Sequence, residues 1–233
     1  MTSQGPLHWL DGEGWLVLLG GGRWERGETD LVDAQVLSIA NLDRPMVILL
    51  SEGEQETAQA LLEHYTLLGG PGGEAFVLSE VTRHSEVTRH FFQSSDFLSL
   101  IAEAGIFYMG GENPQRLVHS LWNTPALEQI VQSFSTLQAL LLIGAGGGAT
   151  SLGTWLVDVV HDGQASRGLG FLANAVVVPH FTKTEEAVAL QQTLKAYPGH
   201  LGLGLPDGTA LALGPQGQVE TWGTDEVTAV VHM

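Results

Sequence analysis

A chain of 233 residues with 26 acidic and nine Lys and Arg side chains has a formal charge of −17, which repels a phosphate backbone and argues against a nucleic-acid partner. It contains no cysteine, which excludes disulfides, zinc–thiolate sites and a thiol nucleophile. Hydrophobic residues make up 44% of the chain and charged residues 15%, a balance typical of a folded core rather than of disorder. We therefore expect one domain over residues 1–233.

Short apolar runs closed by glycine alternate with helical stretches through most of the chain. The predicted strands are 15–19, 45–50, 105–109, 137–143 and 175–178. The predicted helices are 54–65, 95–103, 114–121, 124–134 and 185–196. Apolar runs without polar alternation indicate strands covered on both faces, so the predicted fold is a three-layer α/β sandwich with a mostly parallel, flavodoxin-like sheet. After residue 198, four short apolar runs predict a small antiparallel set that completes this sheet.

The N-terminal sequence and the apolar runs indicate the compartment. The segment MTSQGPLHWLDGEG has no basic stretch followed by an apolar one, so no signal peptide is predicted. No apolar run approaches the length of about 18 residues that a membrane-spanning helix needs. We expect a cytoplasmic protein that does not contact the membrane.

The loop after the fourth predicted strand carries the strongest signal for a functional site. It reads Gly144-Ala145-Gly146-Gly147-Gly148-Ala149 and leads from a strand into a helix. A strand, a tight glycine turn and a helix are typical of a nucleophile elbow, which exposes its central residue on a strained turn. The backbone N–H after that residue helps to bind an oxyanion. Ligands of open parallel sheets bind at this edge, beyond the carboxyl ends of the strands.

Four segments of the chain, in order, resemble the S51 serine peptidases, the cyanophycinase and dipeptidase E group. The loop 144–149 is similar to the family motif Gly-x-Ser-Ala-Gly-Ala. The other three are the strand and Gly-Gly turn of 106–113, the Gly-Leu-Gly-Phe stretch with the His-Phe pair that ends at Phe181, and the acid-bearing segment 202–210. The resemblance covers roughly residues 15–231 and implies serine peptidase chemistry on a peptide bond.

The resemblance also implies a role for each matching position. His180 matches the general base, Asp207 the acid that orients it, and Gly146 the nucleophile, which is serine in the family. Gly111 and Gly147 would form the oxyanion hole. The implied substrate-binding residues follow the Gly-Gly turn: Glu112, Asn113, Gln115 and Arg116.

Glycine offers no atom that can attack a carbonyl, so hydrolysis should be lost at this site. The expected function is a peptidase homologue that binds a peptide, a small molecule or a partner at the old cleft, and a homodimer is compatible with this. The alternative is an active hydrolase that uses Ser151 or a water activated by His180.

Two positions depart from the cyanophycinase pattern. The acidic residue and the glutamine before the His-Phe pair are replaced by Val178 and Pro179, so the groups that would hold a β-aspartyl-arginine substrate are missing. Pro179 resembles the dipeptidase E branch, in which the acid follows the serine more closely. Asp158 and Asp162 therefore compete with Asp207 for the role of the acid.

We expect neither a metal nor a cofactor. Asp158, His161 and Asp162 could share a helical face and bind a metal, although charge and capping at a helix end explain them equally well. The spacing Gly144-x-Gly146-x-x-Ala149 matches a degenerate dinucleotide fingerprint. That fingerprint belongs to a first βα unit, whereas this loop lies in the middle of the chain.

Overall fold

The structure is a computed structural model that describes residues 1–78, 90–136, 140–157, 165–182 and 185–231. Its strands form three sheets flanked by helices, and the predicted α/β class is confirmed. The strands are β1 (Thr2–Gln4), β2 (Leu7–Trp9), β3 (Leu16–Leu19), β4 (Met46–Leu50), β5 (Gly73–Val77), β6 (Ile106–Gly110), β7 (Leu141–Ala145), β8 (Trp155–Val157), β9 (Ala165–Arg167), β10 (Leu172–Ala173), β11 (Ala175–Val178), β12 (Leu201–Gly204), β13 (Thr209–Leu213), β14 (Val219–Gly223) and β15 (Thr228–Val231). The helices are α1 (Asp30–Ile39), α2 (Gln55–Leu67), α3 (Ser95–Glu103), α4 (Pro114–Leu121), α5 (Pro125–Ser135), α6 (Gly147–Leu152) and α7 (Glu185–Ala196).

The largest sheet has seven strands in the order β14-β13-β3-β7-β6-β4-β5. The five strands from β3 to β5 are parallel, while β13 and β14 form an antiparallel pair at one edge. Successive residues of β3 enter different cores: Leu16 and Leu18 lie in one buried cluster, and Val17 and Leu19 in the other. Burial on both faces explains why this strand reads as an uninterrupted apolar run.

The second sheet corrects the prediction for the end of the chain. Its order is β15-β12-β11-β8-β9, and β12 pairs in parallel with β11. The C-terminal strands therefore divide between two sheets instead of completing one. Gly202 and Gly204 allow this pairing, because side chains of α7 and the ring of Phe181 occupy the space that a Cβ atom at either position would need.

The prediction lacks several elements with weak sequence signals, namely β1, β2, β5, β8, β9, β10 and α1. β1, β2 and β10 form a small antiparallel sheet. α1 buries only Val32, Asp33 and Val36, which is too few apolar positions to mark a helix by periodicity. Of the predicted strand 137–143, the first three residues lie outside the described part, and β7 extends to Ala145. Among the described residues, no helix is long and apolar enough to cross a membrane.

Candidate functional site

The loops beyond the carboxyl ends of several strands meet at one edge of the two larger sheets. Backbone hydrogen bonds join them: the N–H of Gly146 donates to Leu19, that of His180 to Gly20, and that of Gly208 to Gly21. These contacts connect the loop after β3 with the loops after β7, β11 and β12. Residues 146, 180 and 207 are distant in sequence but reach this edge together.

Gly146 forms a sharp turn between β7 and α6. Its dihedral angles are φ 57° and ψ −123°, a conformation that a residue with a Cβ atom adopts only under strain. A Cβ atom added here would lie 3.4 Å from Glu112 Oε1 and 3.5 Å from His180 Nε2. Position 146 therefore faces the imidazole, as a nucleophile elbow requires, and has room for a Cβ atom.

Close packing, rather than chemistry, accounts for the two glycines after the turn. A Cβ atom at Gly147 would lie 2.5 Å from the carbonyl oxygen of Gly111, and one at Gly148 would lie 2.0 Å from that of Met109. The first turn of α6 thus rests directly on the end of β6. Any side chain at Gly148 would push the helix away from the sheet.

His180 and Asp207 form the pair that the sequence predicted. The Nδ1 atom of His180 lies 2.6 Å from Oδ1 of Asp207, within hydrogen-bond distance. His180 has a φ of 51°, which is unusual for a residue other than glycine and is held by the backbone bonds of residues 180 and 181. With Nδ1 bound to the carboxylate, Nε2 faces the space above Gly146.

A second carboxylate meets the other side of the same ring. Glu112 Oε2 lies 3.4 Å from His180 Nε2, so the imidazole stands between two acids. The contact with Glu112, followed by the charges of Glu112 and Asp207, raises the pKa of His180 to about 9, although partial burial of the ring opposes the shift. The same contact lowers the pKa of Glu112. At neutral pH this imidazole is therefore a cation.

The loop that carries Glu112 is fixed by Ser51, a fully buried residue after β4 that the sequence analysis missed. The Ser51 N–H donates to the Gly110 carbonyl, and its hydroxyl accepts from the Asn113 N–H. Asn113 itself caps α4 by accepting from the Arg116 N–H, and the Arg116 guanidinium donates to the Ser51 carbonyl.

The exposure of Gln115 sets it apart from the buried anchor of this loop. Of the four predicted substrate-binding side chains, Glu112 is the one that contacts the histidine.

The predicted oxyanion hole involves Gly111 and Gly147. The Gly110 carbonyl accepts a hydrogen bond from the N–H of Ser51, the residue after β4, and the Gly111 carbonyl oxygen would lie 3.5 Å from a Cβ atom at Gly146. Gly147 is the first residue of α6, where the N–H group has no partner within the helix. Gly111 and Gly147 therefore adjoin position 146, and their role as oxyanion donors stays a prediction.

Gly21 is a further site residue, and no sequence motif indicates it. Its φ is 123°, and a Cβ atom there would lie 2.2 Å from His180 Cε1 and 2.8 Å from Asp207 Oδ1. The histidine and the aspartate therefore pack against bare backbone. Only the folded structure reveals this contact, since the sequence shows just a glycine run.

Ser151 does not reach the cleft. Its side chain is fully buried, and its hydroxyl donates to the Gly148 carbonyl at 2.6 Å. The competing acids Asp158 and Asp162, and His161 of the metal hypothesis, lie outside the described residues.

Three other residues could hold a metal ion by distance alone. Ligand atoms of Asp30, Asp33 and His64 lie within 4.8 Å of one another. The Asp33 carboxylate is buried and accepts hydrogen bonds from the hydroxyls of Thr29 and Tyr65, while His64 Nε2 lies 3.2 Å away. Hydrogen bonding of a buried carboxylate is sufficient to explain this cluster.

Comparison with known proteins identifies the class to which this fold and site belong. The model of Peptidase family S51 matches residues 16–218, and the chain belongs to that family. A cyanophycinase from Trichormus variabilis is 29% identical over 140 residues, which cover 57% of this chain and 46% of the relative. A cyanophycinase from Synechococcus elongatus is 25% identical over 167 residues, covering 70% of this chain and 48% of the relative. The chain thus spans about half the length of the curated relatives it matches.

Solved structures support the fold over nearly the whole chain. A peptidase from an acI-B1 actinobacterium superposes with a TM-score of 0.66 and 22% identity, covering 95% of this chain and 96% of the other. A putative peptidase E from Listeria monocytogenes gives a TM-score of 0.59 at 14% identity, covering 91% and 99%. At these identities the likeness concerns the fold alone.

Proposed function

We propose that this S51 family member keeps the positioning part of a serine peptidase site without its nucleophile, and that it binds a peptide or small molecule in the cleft without cleaving it. The proposal rests on the orientation of His180, whose Nε2 atom would lie 3.5 Å from a Cβ atom at Gly146. An imidazole oriented by Asp207 points at a position with a nucleophile-elbow backbone and no side chain. In a serine peptidase that side chain attacks the scissile carbonyl while the histidine takes its proton.

Two observations count against surviving hydrolysis by another group. Ser151 is buried, with its hydroxyl bound to a backbone carbonyl, so it cannot contact a ligand in the cleft without rearrangement of α6. A water would need a neutral imidazole as general base, and the pKa of His180, raised to about 9 by Glu112 and Asp207, leaves only about 1% of that form at pH 7.

The cleft remains suited to binding. His180, Glu112 and Asp207 are each partly exposed, so a ligand can reach all three. Their side chains offer a cationic imidazolium beside carboxylates, and the backbone N–H groups of Gly111 and Gly147 supply donors for a carbonyl oxygen. Because the chain belongs to Peptidase family S51, while Val178 and Pro179 replace the groups that would hold β-aspartyl-arginine, an aspartyl dipeptide without arginine is the first ligand to test.

Titration of the ¹⁵N-labelled protein with the dipeptide aspartyl-alanine at millimolar concentration tests both parts of the proposal. We expect shifts of the Gly146 and Gly147 amides and of the His180 ring, with the dipeptide recovered intact after prolonged incubation. Alanine amide, which lacks the aspartyl group, is the control ligand. Turnover that His180→Ala abolishes would contradict the loss of hydrolysis, and unchanged spectra would contradict binding of this ligand class.

A further inference from the structure

The side chain of Glu112 lies beside the position left by the missing hydroxyl. A Cβ atom at Gly146 would lie 3.4 Å from Glu112 Oε1, and Glu112 Oε2 is 3.4 Å from His180 Nε2. A serine hydroxyl at position 146 would need this same space and this same nitrogen. We infer that Glu112 has replaced the nucleophile as the second partner of His180, so that positions 112 and 146 together decide whether this triad can work.

Charge explains why this contact matters for reactivity. A general base needs a lone pair on Nε2, and an imidazole held between two carboxylates keeps its proton there. Among the described residues, the charged groups that face the ring are Glu112, from the loop after β6, and Asp207, from the loop before β13. The loops at Gly21 and Gly146 present only backbone to it. Asp207 alone is the usual orienting acid, so Glu112 is the additional charge that keeps the ring protonated.

The loop after β6 has a fixed backbone, but the side chain of Glu112 on it is free to change its orientation. Its backbone is fixed through the buried Ser51 and the cap formed by Asn113, which keeps residue 112 beside the histidine. The side chain itself is 69% exposed, so it can rotate into solvent without opening the core. Glu112 is therefore a positioning residue that acts through His180, and it can move aside when a ligand enters.

Titration of the His180 ring by NMR tests the assignment directly. In the wild type we expect the ring to titrate with a pKa of about 9. In Glu112→Gln, the pKa should fall by about one unit or more, because removing a neighbouring negative charge disfavours the cation. The matched control is Glu52→Gln, which removes one acid that faces Arg116 at 3.9 Å rather than the histidine, and it should leave the titration unchanged. Equal pKa values in the wild type and in Glu112→Gln would overturn the inference.

A second experiment measures the consequence for reactivity. The single variant Gly146→Ser should react slowly with a fluorophosphonate at pH 7, and the double variant Gly146→Ser/Glu112→Gln should react at least about tenfold faster, because a lower pKa frees the base. Equal rates in the two variants would contradict a role for Glu112. If Gly146→Ser does not fold, the titration of the unsubstituted site still decides the matter.

This inference rests on the proposed function in one respect, namely that position 146 is that of the nucleophile. The outcomes remain separable. Hydrolysis by the wild type would overturn the proposed function whatever the pKa of His180, whereas a His180 pKa that does not depend on Glu112 would overturn only the inference.

Discussion

A Gly21→Ala variant is expected to lose about 2–4 kcal/mol of unfolding free energy, from backbone strain together with overpacking. Its φ of 123° disfavours any side chain, and the new methyl group would lie 2.2 Å from His180 Cε1 and 2.6 Å from Nδ1. The ring must move, and the hydrogen bond to Asp207 should break as it does. Urea denaturation gives the loss of stability, and the His180 ring resonances report the loss of the contact.

Gly53→Ala is the matched control for this variant. Gly53 has a similar φ of 116°, but a Cβ atom there would meet nothing within 4 Å. It should therefore show the backbone cost alone, about 1–2 kcal/mol, with the His180 resonances unchanged. If the two variants lost the same stability and Gly21→Ala kept the His180 spectrum of the wild type, the packing of the histidine on Gly21 would be refuted.

Gly148→Ala should have the largest effect on stability, about 3 kcal/mol or more. The new methyl group would lie 2.0 Å from the carbonyl oxygen of Met109 and 2.6 Å from its carbonyl carbon. Both belong to the buried end of β6, so neither can move aside as a flexible side chain could. Helix α6 must lift from the sheet, which displaces the turn at Gly146. Urea denaturation measures the effect.

Gly72→Ala is the control for Gly148→Ala, because it adds a methyl group where no other atom lies close. A Cβ atom at Gly72 would meet nothing within 4 Å, and its backbone is not in the left-handed region. The substitution should change the unfolding free energy by less than about 1 kcal/mol. A loss in Gly148→Ala no greater than in Gly72→Ala would mean that the elbow does not rest on β6.

Local sequence predicted the elements whose burial is complete. β4 and β6 are apolar at almost every position because helices cover both faces of the sheet, and such runs are visible without a structure. The assignment of β12 failed for a different reason. The pairing of β12 with β11 depends on tertiary contacts. Side chains of α7 pack on Gly202, and the ring of Phe181 packs on Gly204.

The site residues also divide into those that the sequence indicated and those that depend on tertiary contacts. The resemblance to the S51 peptidases implied His180 and, in competition with Asp158 and Asp162, Asp207, and the structure brings His180 Nδ1 and Asp207 Oδ1 within 2.6 Å. Gly21 and Ser51 were not predicted, because their roles are to leave room for one pair of side chains and to anchor one loop. Glu112 was expected to contact substrate, but its contact with His180 depends on how the loop after β6 is held.

In the described part of the chain, the side chains recorded beside the His180 ring are the carboxylates of Glu112 and Asp207, and we propose that no nucleophile accompanies them. Intact-mass measurement of the wild-type protein after incubation with a fluorophosphonate tests this most directly, because the reagent forms a stable adduct with an activated serine. We expect an unchanged mass under conditions that label an active serine hydrolase completely. A stoichiometric adduct that maps to Ser151 or another hydroxyl, and that disappears in His180→Ala, would contradict it.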